Sequence, residues 1–162
     1  MTVKHLLALI LAVPLAAQPA ALFRTWTLAS APDMTKVIAD ATATMNFITR
    51  PIARSRLAKT NAVEPTIRID PEPGGVAIQY GERQPQHLTA DGRTAEWTRE
   101  DGEKLLVSAR MDADGLVQVY KAADGERTNA FQVDGAGRIL TLKVTVTSPR
   151  LPGPVSYVLT YR

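Results

Sequence analysis

From residue 66 onward the chain alternates between apolar and polar residues with a period of two. In RILTLKVTVTS, Leu140, Leu142, Val144 and Val146 share one face and Ile139, Thr141, Lys143 and Thr145 the other, as in a half-buried antiparallel strand. SYVLTYR groups Tyr157, Leu159 and Tyr161 in the same way, and KLLVSARM groups Leu105, Val107, Ala109 and Met111. The pattern predicts nine strands, at about 66–70, 76–80, 86–90, 93–99, 104–110, 116–122, 127–133, 138–147 and 155–162. A tenth is predicted over Leu22 to Ala29, LFRTWTLA, where aromatic and β-branched residues suit a pleated surface.

Between these strands the period changes to 3.6. Met34, Val37, Ile38, Ala41, Met45 and Ile48 recur at steps of three and four behind Asp33, a suitable N-cap. Pro51 lacks an amide donor and biases Arg50 away from the helical region. Two helices are therefore expected, about 33–49 and 51–60, with Asn61 as the stop.

The dipeptide Asp-Gly occurs at 91–92, 101–102, 114–115, 124–125 and 134–135. It is the strongest short hairpin signal, because a primed turn needs positive φ. A calcium site would need six or more converging oxygens, and the spacing lacks the closing Glu of a calcium loop. Chain reversal is the expected role, and no metal site is assigned. Short links make sequence neighbours spatial neighbours, and a meander of this length leaves two costly edges unless it closes. The expected fold is mainly β: an antiparallel up-and-down β-barrel of about 9–10 strands, with two helices inserted after the first strand and the first and last strands meeting.

The N-terminus adds a compartment. Lys4 precedes the charge-free run LLALILAVPLAA, which ends in the small residues Ala16 and Ala17. This is the order of a secretory signal, read as residues 1–17 with cleavage near Ala17. One domain follows over 22–162, with a helical insert at about 33–60 and a β-meander at about 66–162. Periplasmic or secreted location is expected. The chain has no cysteine, so disulfides and thiolate chemistry are excluded. A net charge of +3 is too mild to imply a nucleic-acid partner.

Catalytic parts are scarce. His87 is the one histidine beyond the leader, and it alternates with Leu88 toward solvent. No serine lies in a Gly-x-Ser-x-Gly elbow. Carboxylates such as Glu100 and Asp101 sit in turns. DGAG at 134–137 leads into a strand, not the helix a phosphate loop needs. No enzyme activity, catalytic residue or cofactor is expected.

One strand, a helical pair and a long meander is the order seen in fatty-acid-binding proteins, and RTW at 24–26 resembles the Gly-x-Trp signature of the lipocalin-like (calycin) group, with Arg24 in place of Gly. That resemblance implies a barrel with a cavity for a small apolar molecule under a helical lid. It also implies a structural pair closing the barrel, Trp26 with a basic residue from the last strand, here Arg162. The large inward groups lean toward a filled interior or a small pocket under the helices. Trp97, Phe131, Tyr157 and Tyr161 are the candidate ligand-binding aromatics, the two tyrosines because a buried phenol needs a polar partner.

The basic helix is the least ordinary feature. Arg50, Arg54, Arg56 and Lys59 lie in a stretch from Ala41 to Val63 without an acidic residue, beside Phe47, Ile48, Ile52 and Leu57. The pattern suits contact with an anionic membrane surface or ligand headgroup. It equally suits a lid whose cations pair with barrel carboxylates such as Asp70 or Glu82. Pro149, Pro152, Gly153 and Pro154 stiffen the loop before the last strand. The expected function is that of an exported binding protein for a hydrophobic or amphipathic molecule. The alternative is a non-catalytic structural or interaction module with a filled barrel.

Overall fold

The computed structural model describes residues 20–162 apart from Asp114. The expected leader and its cleavage point near Ala17 lie outside these residues. Strand β1 (Thr25–Ser30) is followed by helices α1 (Met34–Ala41) and α2 (Thr49–Thr60). Nine strands complete the chain: β2 (Thr66–Glu72), β3 (Gly75–Tyr80), β4 (Gln86–Thr89), β5 (Asp91–Thr98), β6 (Lys104–Asp112), β7 (Gly115–Ala122), β8 (Gly125–Val133), β9 (Leu140–Thr147) and β10 (Val155–Tyr161).

All ten strands form one antiparallel sheet in the order β4-β3-β2-β1-β10-β9-β8-β7-β6-β5. Strand β1 pairs with both β2 and β10, so the two ends of the meander meet as expected. The sheet is a nearly closed barrel, and its seam falls between β4 and β5. There the expectation that sequence neighbours pair does not hold. Asp91-Gly92 is no hairpin tip: it opens β5 in a bulge, with a register shift between Asp91 and Thr94. The Asp91 carboxylate accepts from the Arg93 amide at 3.1 Å. A bulge bends its strand, and β5 turns off the β4 edge. Gly102, Gly115, Gly125 and Gly135 lie at or beside chain reversals. At the β6–β7 tip Gly115 has φ +141°, and a Cβ there would lie 2.0 Å from the Phe131 carbonyl oxygen.

The helices differ from expectation in their bounds. Asp33 caps α1, accepting from the Thr35 and Lys36 amides. The apolar steps of three and four continue to Ile48, yet α1 stops at Ala41. The Thr42 hydroxyl turns back onto the Ile38 carbonyl at 2.8 Å. Asn46 then accepts from the Ile48 and Thr49 amides and starts the next helix. Local polar side chains outcompete the apolar periodicity here. Pro51 falls inside the first turn of α2, where a missing amide donor costs nothing. Asn61 ends α2, its amide bonded to the Leu57 carbonyl.

The register sorts the inward side chains into rows. Leu116, Phe131, Leu142 and Leu159 stand side by side on β7, β8, β9 and β10, all nearly or fully buried. Two residues nearer the helices, the row is Gln118, Asn129, Val144 and Tyr157. Two further on, it is Tyr120, Arg127, Val146 and Val155. The barrel is thus apolar at the end away from the helices and turns polar toward them.

The closed end is sealed by Trp26, fully buried, whose indole donates to the Leu22 carbonyl at 3.0 Å. The cation over its ring is Arg24, 3.8 Å from the centroid, where Arg162 was expected. Arg162 instead exchanges two backbone hydrogen bonds with Thr27. Directly opposed residues share a face, so Arg162 lies on the face Trp26 avoids.

Candidate functional site

A cavity of about 840 Å³ opens between α2 and the lid-facing ends of the strands. Met45, Ile52 and Leu57 roof it, Trp97, Leu105 and Val146 give it apolar walls, and Gln86, Tyr120, Asn129 and Arg127 line its inner end. Its volume lies in the range typical of small-molecule sites.

The inner end is a connected polar network. Tyr80 OH donates to Gln118 Oε1, and Asn129 Nδ2 donates to both Tyr80 OH and Gln118 Oε1. Gln118 Nε2 donates to Gln86 Oε1 at 2.7 Å, and so does Tyr120 OH, also at 2.7 Å. Arg127 Nε donates to Asn129 Oδ1 at 2.9 Å, and its Nη1 to the Thr60 carbonyl at 2.7 Å and to Asn61 Oδ1 at 3.4 Å. Tyr157 OH donates to the same Asn61 oxygen. Asn61 therefore ties the end of α2 to β8 and β10.

Two groups in this network retain capacity. The Arg127 charge is held by neutral oxygens alone among the bonds just described, with no carboxylate among them. Gln86 is 7% exposed and its Oε1 is fully engaged, while its amide nitrogen takes no protein partner among the described residues. Both border the cavity. Burial pushes the phenols of Tyr80 and Tyr120 upward, while the nearby Arg127 charge pulls both back. At neutral pH they are uncharged donors. The arrangement can hold a molecule that presents acceptor or anionic oxygens inward. The inner end offers amides, phenols and a guanidinium, and the lining also carries the carboxylates of Glu64, Asp101, Glu103, Asp124 and Glu126.

Of the four candidate aromatics, Trp97 borders the cavity, set edge-on to Tyr120 with ring centroids 5.9 Å apart. Phe131, Tyr157 and Tyr161 belong to the packed core. Phe131 lies in the apolar row, and the tyrosine hydroxyls are taken by Asn61 Oδ1 and the Glu64 carbonyl. Sequence reasoning missed Tyr80, Gln86, Gln118, Tyr120, Arg127 and Asn129. The signal was available: Gln118 stands at an inward position between Leu116 and Tyr120, and Asn129 two residues from Phe131.

The basic helix divides in two. Arg50 reaches the Met45 carbonyl and Arg54 the Thr42 hydroxyl, both binding the α1–α2 connection. Arg56 pairs with Asp124 and Lys59 with Asp101, each at 3.3 Å, joining α2 to two Asp-Gly turns across the cavity mouth. These turns supply the carboxylates that were expected from Asp70 or Glu82; Asp70 pairs with Arg68 on its own strand. Phe47 and Ile48 are 81% and 65% exposed and lie outside the cavity lining, while Ile52, 60% exposed, belongs to its roof. His87 is exposed, its Nδ1 2.6 Å from Glu72.

No protein-family model matches the chain, and no curated protein matches its sequence. Solved structures do match its shape. A fatty-acid-binding protein from Drosophila melanogaster brain is 15% identical, with 88% of this chain and 99% of that chain covered at a TM-score of 0.55. Human cRBP IV is 18% identical, with coverage of 89% and 98% and a TM-score of 0.54. A heat-soluble protein from Ramazzottius varieornatus is 9% identical, with coverage of 88% and 94% and a TM-score of 0.60. The chain has the calycin-type, lipocalin-like β-barrel fold shared by fatty-acid-binding proteins.

Proposed function

We propose that this protein is an exported, non-catalytic binding protein for a small hydrophobic or amphipathic molecule, held between α2 and the polar row. The cavity carries this reading. A barrel serving only as a structural module would gain stability from a solid interior, yet here about 840 Å³ stays open beneath the lid. Unspent donors on Gln86 and Arg127 face that space. The fatty-acid-binding neighbours add support at the level of fold. Export rests on the N-terminal charge and apolar pattern.

Native mass spectrometry of gently purified protein tests the reading. A co-purifying small molecule that leaves on denaturation is expected. A clean apo mass, together with no binding of the anionic fluorophore anilinonaphthalene sulfonate, would refute it.

Contact with an anionic membrane surface belongs to the same proposal. Phe47 and Ile48 project beside Arg50 and Arg54, the combination that binds headgroup regions. Flotation with phosphatidylcholine vesicles, with and without phosphatidylglycerol, decides it: recovery should rise with the anionic lipid, and equal recovery removes the membrane role.

A further inference from the structure

The polar row divides the barrel into two compartments. Beneath it Leu116, Phe131, Leu142 and Leu159 are 0–3% exposed and leave no room for a guest. Gln118, in the row itself, is fully buried and engaged with Tyr80, Asn129 and Gln86. A ligand threading down the barrel axis would have to break those bonds and then displace packed side chains. The cavity therefore runs across the barrel mouth, between α2 and the row, and not along the axis.

Its volume is generous for so shallow a space. The walls offer flat faces: Trp97 stands edge-on to Tyr120, and Tyr120 lies directly opposite Arg127 across the β7–β8 ladder. The inner surface offers the Gln86 amide and the Arg127 guanidinium, so the floor itself is a donor surface.

Resting on the ligand-binding reading above, we propose that the site selects a broad, ring-bearing amphipath with an acceptor or anionic group on its inner side, and discriminates against long unbranched acyl chains. Rings fill the width and pack on Trp97 and Tyr120. An acceptor group meets the floor. An acyl chain whose carboxylate reaches the floor must turn its tail toward the mouth, where added methylenes leave the protein.

Competition binding measures this directly. Anilinonaphthalene sulfonate is the reporter; 1-pyrenebutyrate, octanoate, dodecanoate and hexadecanoate are the competitors. Each methylene buried multiplies affinity by about fourfold. The gain should stop by dodecanoate, and pyrenebutyrate should compete about tenfold better than hexadecanoate. A gain continuing at about fourfold per methylene through hexadecanoate would overturn the proposal. Trp97 is only partly buried and borders the cavity. Trp97→Ala should weaken pyrenebutyrate by about fivefold and leave dodecanoate within about twofold; equal losses would count against a ring-selective site. Failure of every probe to bind overturns the ligand-binding reading itself, a different outcome from binding with the wrong selectivity.

Discussion

Replacing Gln118 by leucine isolates the polar row, because it keeps the side chain's size and removes its hydrogen bonding. Gln118 is fully buried on β7. It accepts from Tyr80 OH and Asn129 Nδ2 and donates to Gln86 Oε1. Asn129 and Gln86 keep second partners when the Gln118 amide is removed, Asn129 at Tyr80 OH and Gln86 at Tyr120 OH. Tyr80 does not: its hydroxyl proton loses its acceptor in a buried setting. Three bonds at about 1 kcal/mol each, the last leaving an unsatisfied donor, sum to about 3–4 kcal/mol. A leucine beside the apolar row of Leu116 and Phe131 returns about 1 kcal/mol, so the net loss is about 2–3 kcal/mol. In urea, with a slope of about 2 kcal/mol/M, the unfolding midpoint should fall by about 1–1.5 M with the slope unchanged. A midpoint within about 0.2 M of the parent, or above it, would show that the row is not an organised network and that the cavity floor is not fixed by it.

Other consequences follow from the same geometry. The ion pairs Arg56–Asp124 and Lys59–Asp101 hold α2 over the mouth and are partly exposed, worth about 0–1 kcal/mol each. The double variant Asp101→Asn/Asp124→Asn should release bound anilinonaphthalene sulfonate about threefold faster in stopped flow, and raising salt should speed the parent alike; an unchanged rate would mean the lid is held by packing alone. Gly115→Ala places a methyl against the Phe131 carbonyl at positive φ and should cost about 2 kcal/mol or more in denaturant titration, where a neutral result would contradict the tight β6–β7 tip. Burial, with Glu64 adding to it, pushes the Tyr161 phenol up to about 12. A folded-state value above the unfolded one means the unfolded chain releases the proton first. Stability should be intact below about pH 10 and fall as pH rises from there toward 12, and Tyr161→Phe should flatten that fall in urea titrations.

The strands were legible because barrel walls obey a period of two: Leu140, Leu142 and Val144 face in and Thr141, Lys143 and Thr145 alternate with them, so β9 announces itself. The seam was not legible. A bulge at Asp91-Gly92 carries the same letters as a hairpin tip, and the difference lies in where β4 and β5 find partners. Helix α1 was overextended because Met45 and Ile48 sit in phase, while the Thr42 and Asn46 side chains, which break the phase, act through single hydrogen bonds that periodicity does not register. The site was the least legible. An inward aromatic suggests a cavity wall, but strand level decides whether an inward residue meets the core or the cavity. Phe131 and Arg127 lie on the same face of β8, four residues apart, one in the packed end and one in the open end. Gln118 and Asn129 mark the boundary, and polar residues inside an apolar series were the clue.

The proposed ligand cavity is bounded by α2 above and the polar row below. Titration of isotope-labelled protein with anilinonaphthalene sulfonate, followed by amide and side-chain NMR shifts, tests it most directly. The largest shifts are expected at the Gln86 side-chain amide, the Trp97 indole and the Arg127 guanidinium, with Leu116 and Phe131 unmoved. Shifts centred on Phe131 and Leu142, or confined to the outer surface of the barrel, would contradict it.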